Sequence, residues 1–92
     1  MPSLFRVGRY LVFFWSNENN EPIHVHVATG RLAPNATKIW ITANGGCIIA
    51  NNNGRVPQAE LHEILEIISA QFFFICGKWK EHFLIDEISF YC

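Results

Sequence analysis

Two spacings of apolar side chains divide the chain at Pro57: every second residue before it, every third or fourth after it. The first part predicts β-strands and the second a helix. Residues 4–16 hold two β-prone runs around Gly8-Arg9. A two-residue Gly-X loop suits a type II′ hairpin, because glycine accepts a positive φ at the first central position without steric cost. With Val7 opposite Tyr10, one face collects Phe5, Val7, Tyr10, Val12 and Phe14. The other collects Leu4, Arg6, Leu11, Phe13 and Trp15. The second run is apolar on both sides, as a central strand covered on both faces would be.

Ser16 to Glu21 reads as a polar loop, and Pro22 is suited to the start of the next strand. In Glu21-Pro22-Ile23-His24-Val25-His26-Val27 the alternation places Ile23, Val25 and Val27 on one face and His24 and His26 on the other. A simple hairpin pairing Ser16 with Ile23 sets the histidines beside Arg6, Phe13 and Trp15. The opposite face is then the purer apolar one. Pro34 and Asn35 punctuate a turn, residues 36–43 form a strand of good β propensity, and Asn44-Gly45 joins it to a short run at 47–50. Asn51 to Gly54 ends a five-stranded antiparallel meander.

Beyond it, Leu61, Ile64, Leu65, Ile68, Phe72 and Ile75 predict one long helix over 57–76, opened by Pro57 and stopped by Gly77. Its stripe should cover the pure apolar face of the sheet. Ile67, Ala70, Phe73 and Phe74 widen that stripe beyond one sheet contact, towards a partner or the chain's own tail. Residues 78–83 can continue as a short helix after the Gly77 break, and residues 84–92 fit an edge strand or an extended tail. The expected architecture is α+β in a single domain, 1–92, with sheet over 1–54, helix over 57–76 and a C-terminal extension over 77–92.

Composition adds constraints. Half of the 92 residues are hydrophobic and only 16% are charged, a low share that points to apolar surface covered by a protein partner or by a second copy in a homo-oligomer. The formal net charge of −1 and the scattered basic residues give no stripe for nucleic acid and no attraction to an anionic membrane. Three widely spaced cysteines without a Cys-x-x-Cys pair, and no secretory h-region, fit free thiols in the cytoplasm. Cys47 and Cys76 read as small buried hydrophobes.

Candidate chemistry centres on the two histidines. They can be structural, bonding backbone or Glu18. They can hold a divalent metal such as zinc with Glu18, while Glu21, His62 or His82 offer further ligands. Or they can be catalytic, acting as general acid and base on a phosphodiester such as RNA, with Arg6 or Lys38 holding phosphate. Two imidazoles on one strand face lie about 6 to 7 Å apart along the strand, enough to bracket a scissile phosphate. Trp15, Trp40 and Trp79 stand in apolar runs and read as packing, although Lys38 beside Trp40 also resembles a base-stacking pair. Composition and pattern imply no organic cofactor.

Phe5-Arg6 followed by Gly8 and Tyr10, an aromatic strand ending in Ser16-Asn17-Glu18, and Glu21-Pro22 leading into His24-Val25-His26-Val27 resemble a family of small bacterial proteins known as the domain of unknown function DUF4160. Lys38-Ile39-Trp40-Ile41 and the helix opening at Glu60-Leu61 and running towards Trp79 are similar to it as well. The likeness reaches to about Phe83, leaving the last nine residues outside, and Ile23 stands where many members have a second proline. The resemblance implies a small cytoplasmic bacterial protein, often encoded beside another small domain as toxin–antitoxin pairs are. It brings no activity or ligand.

Overall fold

The computed structural model describes residues 3–16, 20–29 and 36–92. Five antiparallel strands, β1 (Ser3–Val7), β2 (Tyr10–Phe13), β3 (His24–Thr29), β4 (Thr37–Ile41) and β5 (Cys47–Asn51), lie in the order β1-β2-β3-β4-β5. This is the expected meander. Gly8 has φ of +57° between paired Val7 and Tyr10, and Arg9 does not share the positive sign, as a type II′ turn requires. Phe13 pairs with His26 and Tyr10 with Thr29, the register obtained when Ser16 is set against Ile23.

Counting fails at one place in this hairpin. The register slips between Ser3 and Phe5, so Leu4 packs with Phe5 and Val7 against the main core instead of joining Arg6 on the opposite face. A bulge inserts one residue and reverses every side chain beyond it, which alternation alone does not reveal.

The helical region corrects the single helix over 57–76. There are two helices, α1 (Gln58–Ala70) and α2 (Phe72–Phe83), separated at Gln71. Gln71 has φ −101° and ψ 20°, and its N–H is shared between the carbonyls of Ile67 and Ile68. Buried Leu61, Ile64 and Ile68 of α1 and Ile75 and Trp79 of α2 keep a three-and-four spacing through the break, which makes two rods look like one in sequence.

The break shortens the helical layer. A straight helix over 58–83 would be about 39 Å long at 1.5 Å per residue, more than the 35 Å longest dimension of the molecule. Instead, α1 lies over β5, where the Cys47 thiol meets the Leu65 carbonyl at 3.5 Å and the Ser69 hydroxyl at 3.3 Å. Then α2 returns towards β1, bringing Phe74 to 6.3 Å from Phe5 and Trp79 to 4.9 Å from Phe14. Gly77 therefore sits inside α2, where the sequence had placed a stop; with open space around it, nothing forces the chain to leave the helix there.

The core lies between the helices and the predicted apolar face. Val12, Phe14, Ile23, Val25, Val27, Ile39 and Ile41 meet Leu61, Ile64, Ile68, Ile75 and Trp79, all essentially without solvent contact. A smaller cluster of Leu11, Phe13, Ala28 and Ala36, flanked by Trp15, fills the other face. After Leu84, which ends α2 in the left-handed conformation, the chain takes the extended-tail alternative. Ile85, Ile88 and Phe90 pack on the core, and the tail carbonyls of Ser89 and Cys92 accept from the N–H groups of Ile23 (2.8 Å) and Ala43 (2.9 Å). The turn marked by Pro34 and Asn35 lies outside the described residues. Among those that are described, no helix is long and apolar enough to cross a membrane.

Two glycines should respond oppositely to alanine. A Cβ on Gly54 would stand 2.8 Å from the Thr37 hydroxyl and 3.0 Å from its backbone N, and that hydroxyl is fixed by Asn52 at 2.7 Å. Gly54→Ala is expected to lower unfolding free energy by about 1–3 kcal/mol, the usual cost of forcing volume into a filled site. A Cβ on helical Gly77 meets nothing within 4 Å. Gly77→Ala should stabilise by about 0.5–1 kcal/mol. Urea titrations of both variants check the pair of signs.

A pH dependence follows from the start of α1. The Tyr10 hydroxyl donates to the Glu60 carboxylate, with Arg9 at 3.3 Å, tying the first hairpin to the helix. Tyr10's bond holds the Glu60 carboxyl below its usual range, and burial pushes the Tyr10 phenol up. The depressed carboxyl contributes stability above its unfolded value that is lost as pH falls through the folded one; the raised phenol contributes stability that is lost at high pH. Thermal melts across pH should therefore show a weaker acid-side fall in Tyr10→Phe than in the parent chain.

Candidate functional site

The histidine strand is the candidate with the most chemistry. Placing Val25 against the helices turns His24 and His26 to the opposite face, and β3 lies in mid-sheet, so neighbours flank both. His24 stands opposite Trp40 and His26 opposite Lys38 on β4, while Phe13 on β2 faces His26 from the other side. The two imidazole centroids are 5.0 Å apart and perpendicular.

Both rings are buried, His24 with 0% and His26 with 8% of its surface exposed. His24 is edge-on to Trp40 and Trp79, each at 5.5 Å, so it joins the second face to the helical core. Its Nδ1 lies 2.9 Å from the Pro22 carbonyl. A carbonyl only accepts, so Nδ1 carries the proton and the ring serves the backbone. His26 stacks on Phe13 at 5.5 Å and lies 6.2 Å from Trp15.

The other candidate residues are dispersed. Arg6 shares this face but is exposed on β1, opposite Leu11, which itself pairs with Ala28. That places it two strand spacings, about 10 Å, from Ala28 and farther from His26, which lies two residues along β3. Lys38 is nearer, directly across from His26, but its ammonium is engaged: 2.7 Å from a Glu21 carboxylate oxygen and 4.3 Å from the Trp40 ring centroid. Glu18 lies outside the described residues. His62 is on the exposed side of α1, 3.0 Å from Glu66, and His82 packs its ring on Phe14 and Phe83. Among the described residues, no three His, Cys, Asp or Glu side chains converge to hold a metal ion. Burial pushes the Cys47 and Cys76 thiols up, away from the thiolate form that a nucleophile uses.

Two members of this face escape sequence reasoning. Tyr91 stacks on Trp40 with centroids 4.9 Å apart and planes within 4°. Its only sequence signal is alternation in the tail, with Ile88 and Phe90 inward and Ser89 and Tyr91 outward. The Glu21–Lys38 pair depends on the β3–β4 register, and the connection between those strands offers no short turn from which to count.

Glu21, Pro22, His24 and His26 all make contacts at the start of β3. Glu21 bonds to β4, the Pro22 carbonyl is satisfied by His24, and both rings pack on aromatic neighbours. No curated protein and no solved structure matches the chain. A family model does match, over residues 10–80, and it runs from β2 through the histidine strand and α1 into α2. The chain therefore belongs to the family described as a domain of unknown function, DUF4160.

Proposed function

We propose that this domain works by binding protein, as the interaction module of a toxin–antitoxin-like pair or as a homo-oligomer, and that its histidines serve the scaffold. One observation carries the reading: the imidazoles are buried while large apolar side chains are turned to solvent, Phe73 at 86% and Leu84 at 90% exposure. Phe73 lies in the first turn of α2 and Leu84 caps its C-terminal end. Lone exposed apolar residues are ordinary, but two so fully exposed on a chain so poor in charge favour a covered surface. Acid–base work on a phosphodiester would require His24 and His26 to meet substrate, and both are closed under aromatic rings.

The assembly is tested by light scattering after gel filtration, on the chain alone and co-expressed with the product of the adjacent reading frame. A mass above the 10.6 kDa monomer in at least one preparation is expected. A monomer in both sinks the reading. The scaffold role makes a separate demand on stability. His24→Ala removes a fully buried ring from between His26, Trp40 and Trp79 and should cost about 2–4 kcal/mol of unfolding free energy. His62→Ala, on an exposed helix face, should stay within about 0.5 kcal/mol. Equal urea midpoints for His24→Ala and the parent would remove the structural role.

A further inference from the structure

We infer that β5 is a dimerisation strand, pairing edge to edge with β5 of a second copy to continue the sheet across a two-fold axis. The inference rests on reading the domain as an interaction module and names its partner. β5 is the last strand of the sheet, and among the described residues no strand lies on its far side. Such an edge offers unpaired backbone groups to any extended chain. Soluble proteins ordinarily blunt it with charge or proline. Here the sequence from Ala43 to Gly54 contains neither.

The side chains at this edge are apolar on both faces. Ile49 pairs with Ile39 on the helix-covered face and Ile48 with Trp40 on the other, yet they remain 39% and 40% exposed. One added strand would cover both isoleucines at once, which no ligand resting on a single face could do. The register slip between Lys38 and Ile39 leaves Cys47 to Ile49 as the regular part of the edge.

Charge selects a second copy as the occupant. An uncharged strand set antiparallel to itself opposes no like charges, whereas a charged partner strand would find nothing here to pair with or to steer it. The other edge of the sheet behaves differently. β1 carries Arg6 and is followed by Arg9. A β1-to-β5 contact would be head to tail and would grow an open filament, and the arginines at β1 oppose it. Pairing through β5 alone closes after two copies.

The test uses the full chain in sedimentation experiments over a range of concentrations, with amide hydrogen exchange at a dilute and a concentrated extreme. The parent chain should dimerise, and amides of residues 47–51 should exchange more slowly when concentrated. Ile48→Lys and Ile49→Lys, each confirmed folded by circular dichroism, should raise the dimer dissociation constant at least about tenfold. If either variant fails to fold, protection of the parent's β5 amides decides. Assembly with unchanged β5 exchange, or assembly indifferent to both lysines, overturns the inference and leaves the interaction module standing. A chain that binds its neighbour's product but never dimerises does the same. A chain monomeric under every condition overturns both.

Discussion

The alternation of β3 constrains everything around it. Ile23, Val25 and Val27 are completely buried under α1 and α2, and each such side chain contributes about 1.5–3 kcal/mol relative to exposure. In a strand the next side chain must point the other way, so burying Val25 places His24 and His26 on the far face whether or not they serve chemistry. The far face is itself packed, around Leu11, Phe13, Ala28 and Ala36. A polar side chain held there needs a bonded partner or a large desolvation cost remains. His24 meets part of that need: its Nδ1 serves a backbone carbonyl while the ring packs as an aromatic.

The helices answer the same constraint on a larger scale. A sheet of five strands is wider than one helix, and the core face extends from β5 to β1. Bending at Gln71 lets one apolar stripe serve both sides, with Leu65 and Ser69 near Cys47 and Phe74 near Phe5. The extended tail then closes the remaining end, where Ile85, Ile88 and Phe90 complete the core and two backbone hydrogen bonds hold the tail beside β3 and β4. Charge plays little part in any of this, which is how a chain with so few charged residues can fold.

Local rules carried far in the first three strands because their turns are short or strongly marked. Gly8 fixed the first hairpin and its register, and the Ser16–Ile23 count fixed the second. Leu4 was misplaced because a bulge has no signature in a run of apolar residues. The helix break was invisible for a different reason: the stripe from Leu61 to Trp79 stays in phase through Gln71, and neither proline nor glycine marks the spot. Gly77 attracted the boundary because glycine usually ends helices, yet its neighbours Cys76 and Trp79 are buried and hold the helix through it. The site was legible as a strand face but not as a cluster, since Lys38 and Tyr91 reach it through tertiary register that no spacing encodes.

The Glu-Pro-x-His-x-His stretch acquires a physical explanation that involves no substrate. Proline has no N–H, so a strand cannot begin its hydrogen-bond ladder at Pro22. The Pro22 carbonyl needs a donor, and His24 supplies one at 2.9 Å from two residues along the same chain. Glu21 precedes the proline and draws in Lys38 of the neighbouring strand, whose ammonium lies over Trp40, the residue opposite His24. Each member thus fixes the next: carboxylate to ammonium, ammonium to indole, indole to imidazole, imidazole to carbonyl. The loop closes on the residue beside which it began, and it ties the start of β3 to β4. His24 gives one ring nitrogen to the backbone and His26 stacks on Phe13, so both rings are held in place on this face.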